Sequence, residues 1–273
     1  MCKLCGADIL NVKPIKLFTD EEIDAFLRSI WDGRTTTNNM NVEMYKAVAG
    51  KLTDGVYKGF GKDIADTKWD TPDYNMLFDL RENVYIFSAA KQYQEIRHIS
   101  SLLTTGDKIN SYNDFKKQAI VIHKDYNDNY LRTEYGSAIA QSNAASKWMD
   151  IEKNAETLPN LTYHTVGDGR VRPPHAALDG ITRPVGDKFW NTCYPPNDWN
   201  CRCTVIQDDA ALTLKKNFSD ETRAAIKDIP EVFQFNAGKS RIVFSDQHPY
   251  YDVKPKDRAF AKINFNMPLP GNH

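Results

Sequence analysis

The sequence predicts an α+β protein, with a mostly helical N-terminal region followed by a small mixed domain of short strands and a long Cys/Pro/Trp-rich loop. Three observations predict it. Apolar residues recur at helical spacing from residue 18 to about 103, and again from 115 to about 154. After Pro159 the spacing turns to short alternating runs. Between those runs, residues 168–203 carry His175, Cys193, Cys201 and Cys203 among prolines and tryptophans, with little helix or strand signal. Three regions follow: a helical part over 1–110, a central part over 111–207 and a C-terminal extension over 208–273.

Taken in order, Thr19-Asp20-Glu21-Glu22 supplies a capping residue and an acidic first turn ahead of Ile23, Phe26, Leu27 and Ile30. Gly33 and the polar cluster 35–39 interrupt that helix, and Val42, Tyr45, Val48, Ala49 and Leu52 begin the next. Val84, Phe87, Ala90 and Tyr93 mark a third over 82–103. Ser111 caps the longest helical stretch, whose buried face is expected through Leu131, Tyr135, Ala138, Ser142, Ala145 and Met149. The small residues of 136–142 admit close approach of another backbone. Residues 161–166 and 204–206 read as strands on either side of the loop, 211–226 as a helix and 241–244 as a further strand. From Tyr251 onward, with Pro255, Pro268 and Pro270, the chain reads as extended or loosely docked.

Composition excludes several classes. With 35 basic and 36 acidic side chains the net charge is -1, so no global field draws the chain to nucleic acid or an anionic membrane. No apolar run approaches the roughly 18 to 20 residues of a membrane span, and the N-terminus lacks a signal-like pattern. A soluble protein made in the cytoplasm is expected. Five cysteines, an odd number, fit free thiols or a metal site in a reducing compartment better than a disulfide framework.

The loop carries the chemistry. His175, Cys193, Cys201 and Cys203 offer one imidazole and three thiols, the donor set of a closed tetrahedral zinc site. A second set joins the C-x-x-C pair Cys2 and Cys5 to Cys201 and Cys203. Against both stands simple packing, with the cysteines as small buried residues and His175 as a hydrogen-bonded loop residue. An enzyme site can be assembled from Asp168, Arg170, His175, Asp179 and Cys201, since thiol, imidazole and orienting carboxylate are the minimum for cysteine nucleophile chemistry. Asp179-Gly180 is a turn signal, and no phosphate-binding loop is present in the pattern.

The order Leu131-Arg132-Thr133-Glu134, Asp168, Arg170-Val171-Arg172, His175, Leu178-Asp179-Gly180, Phe189-Trp190, Pro195-Pro196-Asn197 and Trp199-Asn200-Cys201-Arg202-Cys203 resembles the phage Mu F-like minor head proteins, also called head morphogenesis proteins. The resemblance covers roughly residues 116–207, within the central region. It implies a structural, non-enzymatic component of a tailed-bacteriophage or prophage head, made in the bacterial host cytoplasm and carried in the virion. The implied partners are the portal protein or the major capsid protein at the inner capsid surface. Asp168, Arg170, His175, Asp179, Gly180, Trp199, Cys201 and Cys203 are the motif positions, and zinc is the candidate cofactor. Phage DNA is a further implied partner, with Arg170, Arg172 and Arg183 as candidate contacts and ion pairing as their other reading. A small phage enzyme using His175 and Cys201, and a zinc-stabilised DNA-binding module, are the alternatives.

Overall fold

The computed structural model describes residues 15–265; Cys2, Cys5, Pro268 and Pro270 lie outside them. The α+β reading holds. In chain order the described elements are helices α1 (Asp20–Trp31), α2 (Val42–Phe60) and α3 (Pro72–Ser100), a small hairpin β1 (Thr104–Thr105) and β2 (Lys108–Ile109), α4 (Tyr112–Lys124), a π turn (Asp125–Tyr130) and α5 (Leu131–Asn154). The second half holds β3 (Asn160–His164), α6 (Pro173–Ala176), β4 (Thr182–Pro184), α7 (Phe189–Thr192), β5 (Thr204–Asp208), α8 (Asp220–Asp228), α9 (Ala237–Ser240) and α10 (Arg258–Phe265). The chain divides into two compact units, each discontinuous in sequence. One contains Gly55–Arg81 and Gly136–Ser245; the other contains Glu82–Tyr135, the described residues up to Asp54 and those from Asp246.

In the first unit, β3 is the central strand of an antiparallel sheet ordered β4-β3-β5, with Leu161 opposite both Arg183 and Gln207. Leu161, Tyr163 and Val205 point inward, as period-2 alternation requires, and pack with Trp148 and Ile151 of α5, Trp190 of α7 and Tyr194. The small-residue stretch of α5 does admit another backbone: a Cβ placed on Gly59 of α2 would stand 2.1 Å from the Ile139 carbonyl oxygen. Two expectations fail here. Residues 241–244 form no strand, because Arg241 takes the left-handed conformation (φ 57) after α9 and the following residues pair with no strand of the sheet. The helix expected over 211–226 shortens to Asp220–Asp228, where Ser219 caps it through Thr222 N at 3.1 Å. Strand β4 lay hidden inside the loop.

In the second unit, Thr19 and Glu22 form the expected capping box: the Thr19 hydroxyl accepts from Glu22 N at 3.2 Å and Glu22 Oε2 accepts from Thr19 N at 2.8 Å. Ser111 caps α4 through Asp114 N. The long helix is not uniform. At the π turn Leu131 N donates to the Tyr126 carbonyl five residues back, and that oxygen also accepts from Lys91 Nζ at 2.6 Å. Lys91 lies 2.8 Å from Glu134, both side chains almost fully buried, and Tyr250 Oη donates to the same carboxylate. Residues 252–265 are docked rather than loose: Val253, Asp257 and Ala261 are buried, and Tyr93 Oη donates to Asp257 at 2.9 Å.

Candidate metal centre

Residues 168–203 fold around the sheet rather than away from it. Pro173 opens the single-turn helix α6, where its missing N–H costs nothing, and this turn holds His175 buried. After it, Gly180 at φ 75 makes the reversal that lets Gly180 N bond the Tyr163 carbonyl and feeds the chain into β4. Asp179 Oδ1 accepts from Thr165 N at 2.6 Å and ties the same reversal to the end of β3. At the far side, Asn200 adopts φ 56, a conformation asparagine tolerates, and Cys201-Arg202-Cys203 leads directly into β5.

Two ion pairs close the loop onto itself. Arg202 reaches Asp168 in a bidentate fork at 2.7 and 2.6 Å. The same carboxylate accepts from Arg170 N, and these contacts hold the Asp168 carboxyl well below the usual carboxylate range. Arg172 lies 3.4 Å from Asp198 and donates to the Trp199 carbonyl at 2.8 Å. Trp199 packs edge-on against Phe233, ring centroids 4.9 Å apart.

These restraints bring three donors together. His175 Nδ1 lies 3.5 Å from Cys201 Sγ and 3.5 Å from Cys203 Sγ, and all three ligand atoms fall within 4.8 Å of one another. A zinc ion with Zn–N near 2.05 Å and Zn–S near 2.3 Å sets its tetrahedral N–S edge at about 3.6 Å, so both observed separations match the edge a bound ion would impose. The soft thiol and imidazole set also fits zinc in kind. Hydrogen bonding with Cys203 foremost, and then with His175 and the backbone N–H of Asn197, holds the Cys201 thiol well below its ordinary value; Cys203, sharing that contact, is pushed up.

The four-ligand set of the sequence is not assembled. Cys193 follows α7 and packs into the core beside Trp190, where burial pushes its thiol up to about 12. It lies outside the His175, Cys201 and Cys203 group, the one such group found among the described residues. Of the enzyme constellation, the His175 imidazole and the Cys201 thiol meet, but the carboxylates are engaged elsewhere: Asp179 accepts from Thr165 N and lies 3.9 Å from His164, and Asp168 is held by Arg202. Arg170 faces Asp168, Arg172 faces Asp198, and Arg183 pairs with Asp187, which favours the ion-pair reading of these arginines.

Asn197 is the residue the sequence undervalued. It is fully buried. Its Oδ1 accepts from Tyr163 Oη at 3.0 Å, and its Nδ2 donates to the Thr192 and Tyr194 carbonyls, each at 3.3 Å. Its own N–H supports the Cys201 sulfur. The signal was the Pro195-Pro196-Asn197 run, which read only as one piece of the family resemblance.

Comparison with known proteins identifies this arrangement. The α+β chain carries its His-to-Cys-x-Cys loop in a central segment, residues 94–206, that matches the family described as phage Mu protein F like protein. Through that segment the chain is similar to the Mu F-like family. The match begins within α3, upstream of the stretch the motifs delimited, and it contains the whole His175, Cys201 and Cys203 group. Over 86 residues the chain is 42% identical to the putative capsid assembly protein F of Escherichia phage Mu, covering 32% of this chain and 18% of that protein. Over 61 residues it is 41% identical to the Mu-like prophage FluMu F protein of Haemophilus influenzae, covering 22% and 15%. The alignments thus span less than a fifth of the relatives' own length. No solved structure matches the chain.

Proposed function

We propose that this protein is a minor capsid or head morphogenesis protein of a tailed bacteriophage or prophage. It acts as a structural component that binds the portal protein or the major capsid protein at the inner capsid surface during head assembly, and it resides in the virion. The observation that carries the reading is the family segment over 94–206 with its loop motif intact; the name of the phage Mu relative supports assembly as the task. The protein works without catalysis, because the loop's carboxylates brace its backbone and its arginines. The central domain over 111–207 is the portion we assign to this role.

His175, Cys201 and Cys203 hold zinc in this reading. The ion supplies cross-linking of α6 to the start of β5, 26 residues apart in sequence between His175 and Cys201. Such a link adds to the packing of Leu178, Ile181, Trp190 and Tyr194, which already anchor the loop in the core. DNA contact is a secondary role, since the arginines nearest the loop are already paired with carboxylates. No helix among the described residues is long and apolar enough to cross a membrane.

The test is deletion of the gene in the phage or prophage that carries it, with particles examined by electron microscopy and protein mass spectrometry. The expected result is this chain in wild-type heads at a few copies each, cross-linkable to portal or major capsid protein, and aberrant or unfilled heads in the deletion. Normal infectious particles from the deletion, together with absence of the chain from purified heads, would overturn the reading.

A further inference from the structure

We propose that Cys201 and Cys203 are a reversible redox pair: as thiolates they grip zinc together with His175, and a peroxide converts them to a Cys201–Cys203 disulfide that gives up the ion. This rests on the zinc reading above and adds a regulation to the same site. The two sulfurs fall within 4.8 Å of each other, with His175 Nδ1 at 3.5 Å from both. Local chain geometry sets that proximity. Arg202 turns away to fork onto Asp168, so the side chains before and after it share the opposite side, as alternate residues of an extended segment do. Cys193, the third described cysteine, stands outside the group, in the core beside Trp190.

Small reagents reach the pair. Cys203 is half-buried rather than enclosed, and both cysteines line a cavity of about 50 Å³ walled by Ala140 and Ala144 of α5, several times the roughly 10–15 Å³ that one water requires. Hydrogen peroxide fits such a space. The Cys203 thiolate attacks one peroxide oxygen, forming an S–O bond as the O–O bond breaks and the other oxygen leaves as hydroxide. The Cys201 thiolate then attacks the Cys203 sulfur, forming the S–S bond and displacing the remaining oxygen as a second hydroxide. Two solvent protons turn both hydroxides into water, each sulfur has lost one electron to the peroxide, and the disulfide offers Zn²⁺ no thiolate to hold it. Two residues apart, the Cα atoms lie at most about 7 Å from each other, at the upper end of what a disulfide spans, so the bond is strained and readily reduced. A dithiol restores the site. Oxidation takes both sulfurs from His175 and so cuts the link between α6 and the start of β5, while the Arg202–Asp168 and Arg172–Asp198 pairs keep the loop in place.

The experiment uses the full 273-residue chain, loaded with Zn²⁺ under reducing conditions and then freed of reductant. Hydrogen peroxide is added beside a chromophoric zinc chelator, and the cysteines are mapped by mass spectrometry after trypsin without reduction. Trypsin cuts after Arg202, so the disulfide joins residues 189–202 to residues 203–215, and fragmentation of the joined species tells Cys201 from Cys193 as the bridging residue. The expected result is zinc release at least tenfold faster than without peroxide, the Cys201–Cys203 bridge appearing in step with it, and recovery of both thiols and of zinc binding on adding dithiothreitol. C193S is expected to respond like the parent. Zinc that stays bound over reduced thiols in excess peroxide overturns this proposal and leaves the zinc reading standing. So does zinc loss with Cys201 or Cys203 carried to sulfinic acid or bridged to any other cysteine. A native chain that binds no Zn²⁺ overturns both. The native-chain release and bridge decide the matter even if the variant fails to fold.

Discussion

Replacing Asn197 by alanine tests the idea that one buried amide holds the metal loop in shape. Three contacts are lost together. The Tyr163 hydroxyl, deep in the core, is left without its acceptor, at about 1 to 3 kcal/mol. The Thr192 and Tyr194 carbonyls share one amide group at 3.3 Å each, long bonds that together contribute about 1 kcal/mol. The truncated side chain leaves a void in a site walled by Tyr163 and Tyr194, adding about 1 kcal/mol. The expected loss is therefore roughly 3 to 5 kcal/mol, read from urea unfolding by near-UV circular dichroism as a fall in midpoint at unchanged slope. Metal affinity, measured by competition with a chromophoric chelator, is expected to fall about 10- to 100-fold, as for other residues that orient ligands. Asn197→Asp keeps the acceptor for Tyr163 but turns a carboxylate toward two carbonyls, and is expected to cost at least as much as alanine. An Asn197→Ala chain within about 0.5 kcal/mol of the parent and with unchanged metal affinity would refute the reasoning.

Gly59→Ala is expected to destabilise by about 1 to 3 kcal/mol or more, because its Cβ would meet the Ile139 carbonyl of α5, a backbone atom that cannot swing aside; thermal unfolding reads this, and an unshifted midpoint contradicts the close approach. Glu134→Gln keeps an amide oxygen beside Lys91 but removes its counter-charge, leaving a buried ammonium with only neutral acceptors, that amide oxygen and Tyr126 O, at a cost of about 3 to 5 kcal/mol in chemical denaturation; a neutral result would show that water reaches the pair. Burial, and then the Lys91 charge, lowers the pKa of His248 to about 4, while Phe87 and Tyr250 pack on its ring and its Nδ1 accepts from Tyr250 N. Its folded pKa lies below the unfolded 6.5, so the folded state binds fewer protons between those values. Stability from this residue is complete above about pH 6.5 and falls as pH drops toward 4, by at most about 3 kcal/mol. His248→Gln should flatten that part of the stability profile measured against pH, and an unchanged slope would assign the acid sensitivity elsewhere.

Much of the fold was legible because its signals are local. Thr19 and Ser111 cap helices through atoms three residues away, and period-2 alternation alone sufficed for β3 and β5. What failed had a non-local cause. β4 is three residues ending in proline, and it is a strand because β3 lies beside it; 241–244 has the composition of a strand but no strand beside it. The π turn depends on Lys91, 35 residues from the Tyr126 carbonyl it binds.

The same division runs through the candidate site. By itself the sequence determined the chemistry on offer: an imidazole and several thiols in a proline-braced loop, arginines and carboxylates in balance, and motif order specific enough to point to the Mu F-like family before any coordinates. Residue type and spacing are properties of the covalent chain, so they need no fold to be seen. Tertiary structure decided which donors meet. The β3–β5 pairing and the Arg202–Asp168 fork carry Cys201 and Cys203 to His175, whereas the turn after α7 sends Cys193 into the core. It also decided which charges are desolvated, placing Lys91 and Glu134 out of water and leaving Arg170 in it. Both are matters of distance through space and of exclusion from solvent, which composition and spacing along the chain do not encode.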